Sequence, residues 1–155
     1  MFKLGEISSG TLRTEDLVET FSNEFDRLLP ENVTSALLEA CEDWLAGKSW
    51  NEESSMLRET DGAALLADLF QALEEFCPPY VYFGASEGDG ASFGFWVNTE
   101  ELSRDVTDGE VLQVSSLDMV PAAYTGFVWL DKKGSITLYK ADVRGGREAL
   151  WSCEI

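Results

Sequence analysis

Up to Pro78-Pro79, apolar residues recur every three or four positions; beyond it they recur mostly every second position. The first spacing predicts helices and the second predicts strands. Thr14-Glu15-Asp16 reads as a helix start, with a hydroxyl cap and acids in the first turn. Leu17, Phe21, Phe25 and Leu28 then form one apolar face. Leu29-Pro30-Glu31 ends that helix and starts a second. The second face includes Val33, Leu37, Leu38, Cys41, Trp44 and Leu45, with Gly47 as its C-terminal cap. Residues 48–61 are polar and read as a loop, with room for a helical turn at Met56-Leu57. Asp61 is the candidate cap of a third helix, whose stripe is Leu65, Leu66, Leu69, Phe70, Leu73 and Phe76. Pro78-Pro79 stops it.

The second half reads as antiparallel sheet. Tyr80-Val81-Tyr82-Phe83 and Phe93-Gly94-Phe95-Trp96-Val97 flank a glycine-rich turn carrying Asp89-Gly90, a strong hairpin signal. Residues 99–106 are polar and fit a helical turn or short helix capped by Asn98 or Thr99. Val111 to Val114 is an expected strand. Thr125–Leu130 and Ser135–Lys140 form a second hairpin across Asp131-Lys132-Lys133-Gly134, and Ala149–Cys153 is the last strand. Helices first and hairpin-linked strands after imply an α+β class. The expectation is about three N-terminal helices packed on an antiparallel sheet of four to six strands. Length places this in a single domain, residues 1–155, with 1–79 mainly helical and 80–155 mainly sheet.

Charge changes the picture most. The chain holds 29 acidic and 11 basic residues and no histidine, a formal charge of −18. A magnitude of about 2–8 suffices for the solubility of a small domain. The excess repels itself, so a functional reading is invited. Residues 1–80 carry 17 acids and five bases; residues 81–155 carry 12 acids and six bases. Five of those six bases are Lys132, Lys133, Lys140, Arg144 and Arg147. The negative field is therefore expected over the helical half. Such a surface repels nucleic acid and anionic lipid and attracts basic proteins. Abundant aromatics separate the chain from a disordered acidic tail. Cys41, Cys77 and Cys153 share no metal-ligand spacing and read as free thiols in a reducing cytoplasm. No apolar run reaches membrane-span length, and the N-terminal residues lack a signal-peptide pattern, so neither membrane insertion nor secretion is expected.

Candidate chemistry is sparse. Without histidine, a His-dependent triad and imidazole ligation of zinc are excluded within this chain. No Gly-x-Ser-x-Gly elbow or phosphate-binding glycine loop is present. Carboxylate pairs arise by chance among so many acids, so they do not argue for a glycosidase. No catalytic residue, cofactor or metal is expected. Residues 84–94 read as a hairpin whose glycines supply positive φ angles. The competing reading is a recognition loop, or a weak cation site through Glu87, Asp89 and Ser92, although the EF-hand spacing is not met. Acid pairs such as Glu15-Asp16, Glu42-Asp43, Glu52-Glu53 and Glu74-Glu75 singly read as solvated helix faces. As a set they can imitate a phosphate backbone, which carries one charge per about 1.7 Å of duplex axis. Trp44, Trp96, Trp129 and Trp151 read as core, whereas Trp50 sits in a polar loop beside acids. It is a candidate interface anchor, with packing onto the domain as the alternative.

Three stretches carry a resemblance: Ile7-Ser8-Ser9-Gly10-Thr11-Leu12-Arg13-Thr14-Glu15-Asp16-Leu17; Tyr82-Phe83-Gly84 with Gly88-Asp89-Gly90-Ala91-Ser92-Phe93-Gly94-Phe95-Trp96; and Gly134-Ser135-Ile136-Thr137-Leu138-Tyr139. In this order they resemble an uncharacterised family of small proteins from phages, plasmids and bacterial mobile elements. Relatives in that family tend to have histidine where this chain has Ser9, and Asp-His-Gly-Asn where it has Asp131-Lys132-Lys133-Gly134. The resemblance implies no catalytic residues. It implies a genomic setting in which small acidic proteins disable host defence enzymes.

The expectation is a non-enzymatic, cytoplasmic binding protein that inhibits a basic nucleic-acid-handling partner. A CRISPR effector or a restriction enzyme would be that partner, with no direct nucleic-acid or membrane contact. The expected contacts are Glu15, Asp16, Glu19, Glu42, Asp43, Trp50, Glu52, Glu53, Glu74, Glu75, Glu87 and Asp89. Two alternatives stand beside it: an immunity or antitoxin protein that blocks a nuclease toxin, and an interaction module with no inhibitory role.

Overall fold

A computed structural model describes residues 1–47 and 55–154, with the side chains of residues 55–58 left out of the description. The class is α+β, with four helices and two sheets of three and four strands among the described residues. The helices are α1 (Thr14–Leu28), α2 (Ala36–Leu45), α3 (Ser55–Glu75) and α4 (Thr99–Thr107). The strands are β1 (Gly5–Ser8), β2 (Val81–Ser86), β3 (Asp89–Val97), β4 (Val111–Val114), β5 (Gly126–Lys132), β6 (Ser135–Ala141) and β7 (Arg147–Glu154). The sheets are ordered β1-β3-β2 and β4-β5-β6-β7. The chain groups into two compact units. One comprises residues 6–77 and 83–94; the other comprises residues 1–5, 78–82 and 95–155.

The first unit holds α1, α2 and α3. Leu17, Val18, Phe21 and Phe25 of α1, Cys41 and Trp44 of α2, and Leu69 and Leu73 of α3 are buried, as the helical spacing predicts. Phe21 meets Phe70, Phe83 and Phe93 with ring centroids 5.0–5.5 Å apart, all near edge-to-face. Edge-to-face pairs add about 0.5–1.5 kcal/mol each beyond burial.

Helix starts differ from expectation for local reasons. Thr14 is the first helical residue of α1, and Arg13 precedes it without a side-chain cap. Thr11 takes the capping part: its hydroxyl accepts the Arg13 N–H at 3.2 Å and donates to Asp16 Oδ2 at 2.7 Å. α2 starts at Ala36 rather than near Pro30, because Ser35 Oγ accepts the Leu37 N–H at 3.2 Å. Asn32 between them is left-handed, with φ 71°. Val33 is consequently 49% exposed instead of lying on the helix face. α3 runs straight through Asp61, which caps nothing, and includes the expected turn at Met56-Leu57. Gly62 lies inside this helix. Its backbone is packed by Trp44, so a Cβ there would overlap the indole and lie 3.0 Å from the Thr14 methyl.

The second unit is built on the four-stranded sheet, which is mixed rather than antiparallel. β4 pairs parallel with β5, from Val111↔Phe127 to Val114↔Leu130. Residues 115–125 cross over between them. Their Leu117, Val120 and Tyr124 pack on a core of Val114, Val128, Leu130 and Ala141. Leu138 and Trp151 pair across β6 and β7 and are fully buried. The Trp151 indole N–H donates to the Pro79 carbonyl at 2.9 Å. The β5–β6 turn forms at Lys133-Gly134, with Gly134 at φ 93°. α4 is capped as expected by Asn98, whose Oδ1 accepts the Glu101 N–H at 3.1 Å. The short strand β1 has no expected counterpart.

Two stability outcomes follow. Gly62→Ala gains helix propensity of about 1 kcal/mol but overpacks the Trp44 ring. We expect a net loss of about 1–2 kcal/mol by denaturant unfolding; a stabilised variant would contradict the packing. Asn98→Ala should cost about 1 kcal/mol in the same measurement, whereas Thr14→Ala should cost little through capping.

Candidate functional site

The acidic load belongs to one unit. Residues 6–77 and 83–94 carry 19 acids and four bases, net −15, and the rest of the chain nets −3. Helical periodicity sorts these acids outward, because the apolar stripe occupies the other side. In α1, Glu15, Glu19 and Asp26 share one exposed stripe. In α2, Glu39, Glu42 and Asp43 do the same at spacings of three and four. In α3, Asp61, Asp68 and Glu75 recur every seven residues and are all exposed. Asp26, Glu39, Asp61 and Asp68 stand outside the acid doublets and extend these exposed stripes; the helical period alone identifies them.

The expected contacts do not all have the same surroundings. Glu19, Glu42, Glu75, Glu87 and Asp89 are exposed. Glu15 is exposed and lies 3.9 Å from Arg13. The second ion pair between described residues is Glu24 with Arg27. Asp16 is half-buried and holds the Thr11 hydroxyl. Asp43 is exposed and also makes an interaction of its own. Glu74 is engaged within the fold. Its Oε2 accepts the Phe83 N–H at 2.7 Å, which ties β2 to the end of α3. Trp50, Glu52 and Glu53 lie outside the described residues.

The glycine-rich segment is a hairpin, with a shifted turn. Glu87-Gly88 connects β2 to β3, and Asp89-Gly90 opens β3. Neither Gly88 nor Gly90 has a positive φ, so the expected left-handed glycines are absent there. Asp89 Oδ1 accepts the Ala91 N–H at 2.9 Å. Ser92 is buried and donates to Glu6 Oε1 at 2.9 Å, so its hydroxyl is engaged within the fold. Among the described residues, no group of three or more cysteines and carboxylates is placed to hold a metal ion.

The basic tract of the sequence is divided by the sheet. Lys132 and Lys133 sit at the β5–β6 turn, whereas Lys140, Arg144 and Arg147 lie at the opposite end of β6. Lys140 is paired in register with Glu148. Tyr80 has a left-handed backbone, φ 65°, and its hydroxyl donates to Asp105 Oδ2 at 2.5 Å. Burial, then that hydrogen bond, pushes the phenol's pKa up. Burial pushes the Cys41 thiol up to about 11 and the Cys77 thiol up to about 12, with nearby carboxylates adding to both. Cys153 is partly exposed. Among the described residues, no helix is long and apolar enough to cross a membrane.

Two outcomes test these placements. Glu74→Ala should cost about 1–3 kcal/mol and Glu75→Ala within about 0.5 kcal/mol, read by denaturant unfolding; equal costs would contradict the internal role of Glu74. The thiols of Cys41 and Cys77 have folded pKa values above the ordinary 9.0, so the native state holds their protons longer than the unfolded chain. Stability should therefore fall as pH climbs from about 9 towards 11–12, and Cys41→Ala with Cys77→Ala should flatten that fall. No family model, curated protein or solved structure matches the chain.

Proposed function

We propose that the protein is a non-enzymatic binding protein whose acidic helical unit occupies the nucleic-acid groove of a basic partner. The observation that carries this reading is the confinement of net −15 to one of two compact units. A charge kept only for solubility has no reason to concentrate in this way. Exposed stripes on three helices support it, because carboxylates on rigid elements hold fixed spacings, as phosphates do. Association would be fast and salt-sensitive.

The resemblance to phage and mobile-element proteins favours a host defence enzyme as the target, a CRISPR effector or a restriction enzyme. On this reading the protein acts inside a bacterial cell. A nuclease toxin neutralised by the same electrostatics is the second reading, and a toxin gene beside this one would favour it.

The test uses the tagged protein as bait in lysates of bacteria carrying CRISPR and restriction systems. The expected result is capture of one nucleic-acid-binding protein that salt releases and added DNA or RNA displaces. Capture indifferent to both salt and nucleic acid would contradict mimicry.

A further inference from the structure

We propose that the crossover from β4 to β5, together with the β6–β7 turn, forms a surface through which two copies of this chain pair about a two-fold axis. From Met119 to Leu130 the sequence carries no charged residue, although 29 acidic and 11 basic residues are spread through the chain. The inner side of this segment is core, with Val120 buried in one cluster with Val128, Leu130 and Ala141. Its outer side is apolar too. Met119 is 62% exposed, and Pro121, Ala122 and Ala123 are exposed after it. Ala141 shares the cluster with Val120, so the turn that follows it, residues 142–146, lies at the same end of the sheet. Arg147 joins the two segments, its Nη1–H donating to the Leu117 carbonyl at 3.1 Å. Within the turn, Asp142 Oδ1 accepts the Arg144 N–H at 2.9 Å and the Gly146 N–H at 2.8 Å. Val143 projects from this hydrogen-bonded turn and is 82% exposed.

Apolar residues exposed singly need no explanation, whereas a contiguous apolar patch marks an interaction site. Charge selects the occupant. The charged residues of this patch balance, Asp118 and Asp142 against Arg144 and Arg147. Among the described residues, none of the four forms an ion pair within the chain. A surface bearing both signs complements itself under two-fold rotation, the arginines of one copy meeting the aspartates of the other. Met and Arg are also enriched at protein interfaces. A basic partner gains nothing from a patch of zero net charge, and an anionic lipid surface would meet a chain of net −18. That net charge opposes the approach of a second copy everywhere, and least where the surface is locally neutral and apolar. The inference stands apart from the partner of the acidic helices, which uses the other unit.

The test is sedimentation equilibrium of the intact chain over a concentration series, at low and at high salt. We expect a monomer–dimer equilibrium whose association constant rises several-fold with salt. Screening removes the long-range repulsion between copies and leaves the apolar contact in place. Val143→Glu and, separately, Met119→Lys should weaken the high-salt dimer by about tenfold or more, because each buries an unpaired charge at the contact. Both positions are exposed, so the fold should survive, which circular dichroism checks. Leu12→Glu, at an exposed position of the acidic unit, should leave the high-salt dimer unchanged. A monomer at every concentration and salt, a dimer that weakens as salt rises, or a dimer indifferent to both Val143→Glu and Met119→Lys would overturn the proposal.

Discussion

Phe21 is the point on which the acidic unit is assembled. Its ring touches Phe70 of α3, Phe83 of β2 and Phe93 of β3, and Phe70 also meets Phe83 at 5.2 Å and Phe93 at 5.8 Å. Elements far apart in sequence are joined through one aromatic cluster. A unit of net −15 repels itself, and in water that repulsion is opposed chiefly by apolar burial. Concentrating the aromatics on the inner faces leaves the outer faces of α1, α2 and α3 to carboxylates. The dense core and the acidic surface are thus two sides of the same helical period.

The other unit is held differently. Its four-stranded sheet has Val128, Leu130 and Val114 beneath the 115–125 crossover, and buries Leu138 and Trp151 between the middle and last strands. Tyr80 adds a contact with Phe127 and a short hydrogen bond to Asp105. This unit nets −3, and its cations are placed at both ends of the sheet rather than in one patch. The charge asymmetry of the molecule therefore follows its division into units.

Much of this was legible in the residues. The apolar steps from Leu17 to Leu28 and from Leu65 to Phe76, the Asn98 cap and the β5–β6 hairpin all follow from periodicity and turn chemistry. What was missed depended on tertiary contacts. The polar run 48–61 reads as a loop ending at an Asp61 cap, yet α3 runs through Asp61, and Gly62 beside it packs against the Trp44 ring. The parallel pairing of β4 with β5 has no local signature, because its crossover is short and carries only a 3-10 turn at Leu117–Met119. β1 is four residues long and alternates weakly. On the surface, acid doublets point to Glu42 and Asp43, whereas the exposed Asp61 and Asp68 are found only by helical period, and the bond of Glu74 to the Phe83 amide, nine residues away, has no local signal.

The central claim is that the acids are kept for binding against a cost in stability. One variant separates that claim from a bland role in solubility: Glu19→Gln, Glu42→Gln, Asp68→Asn and Glu75→Gln combined, all at exposed positions. The decisive measurement is its melting temperature across a salt series, set beside its capture of the basic partner. If repulsion is tolerated for function, the variant melts higher than the native chain at low salt, converges with it at high salt, and loses the partner. A variant that melts no higher at low salt and still captures the partner would contradict the claim.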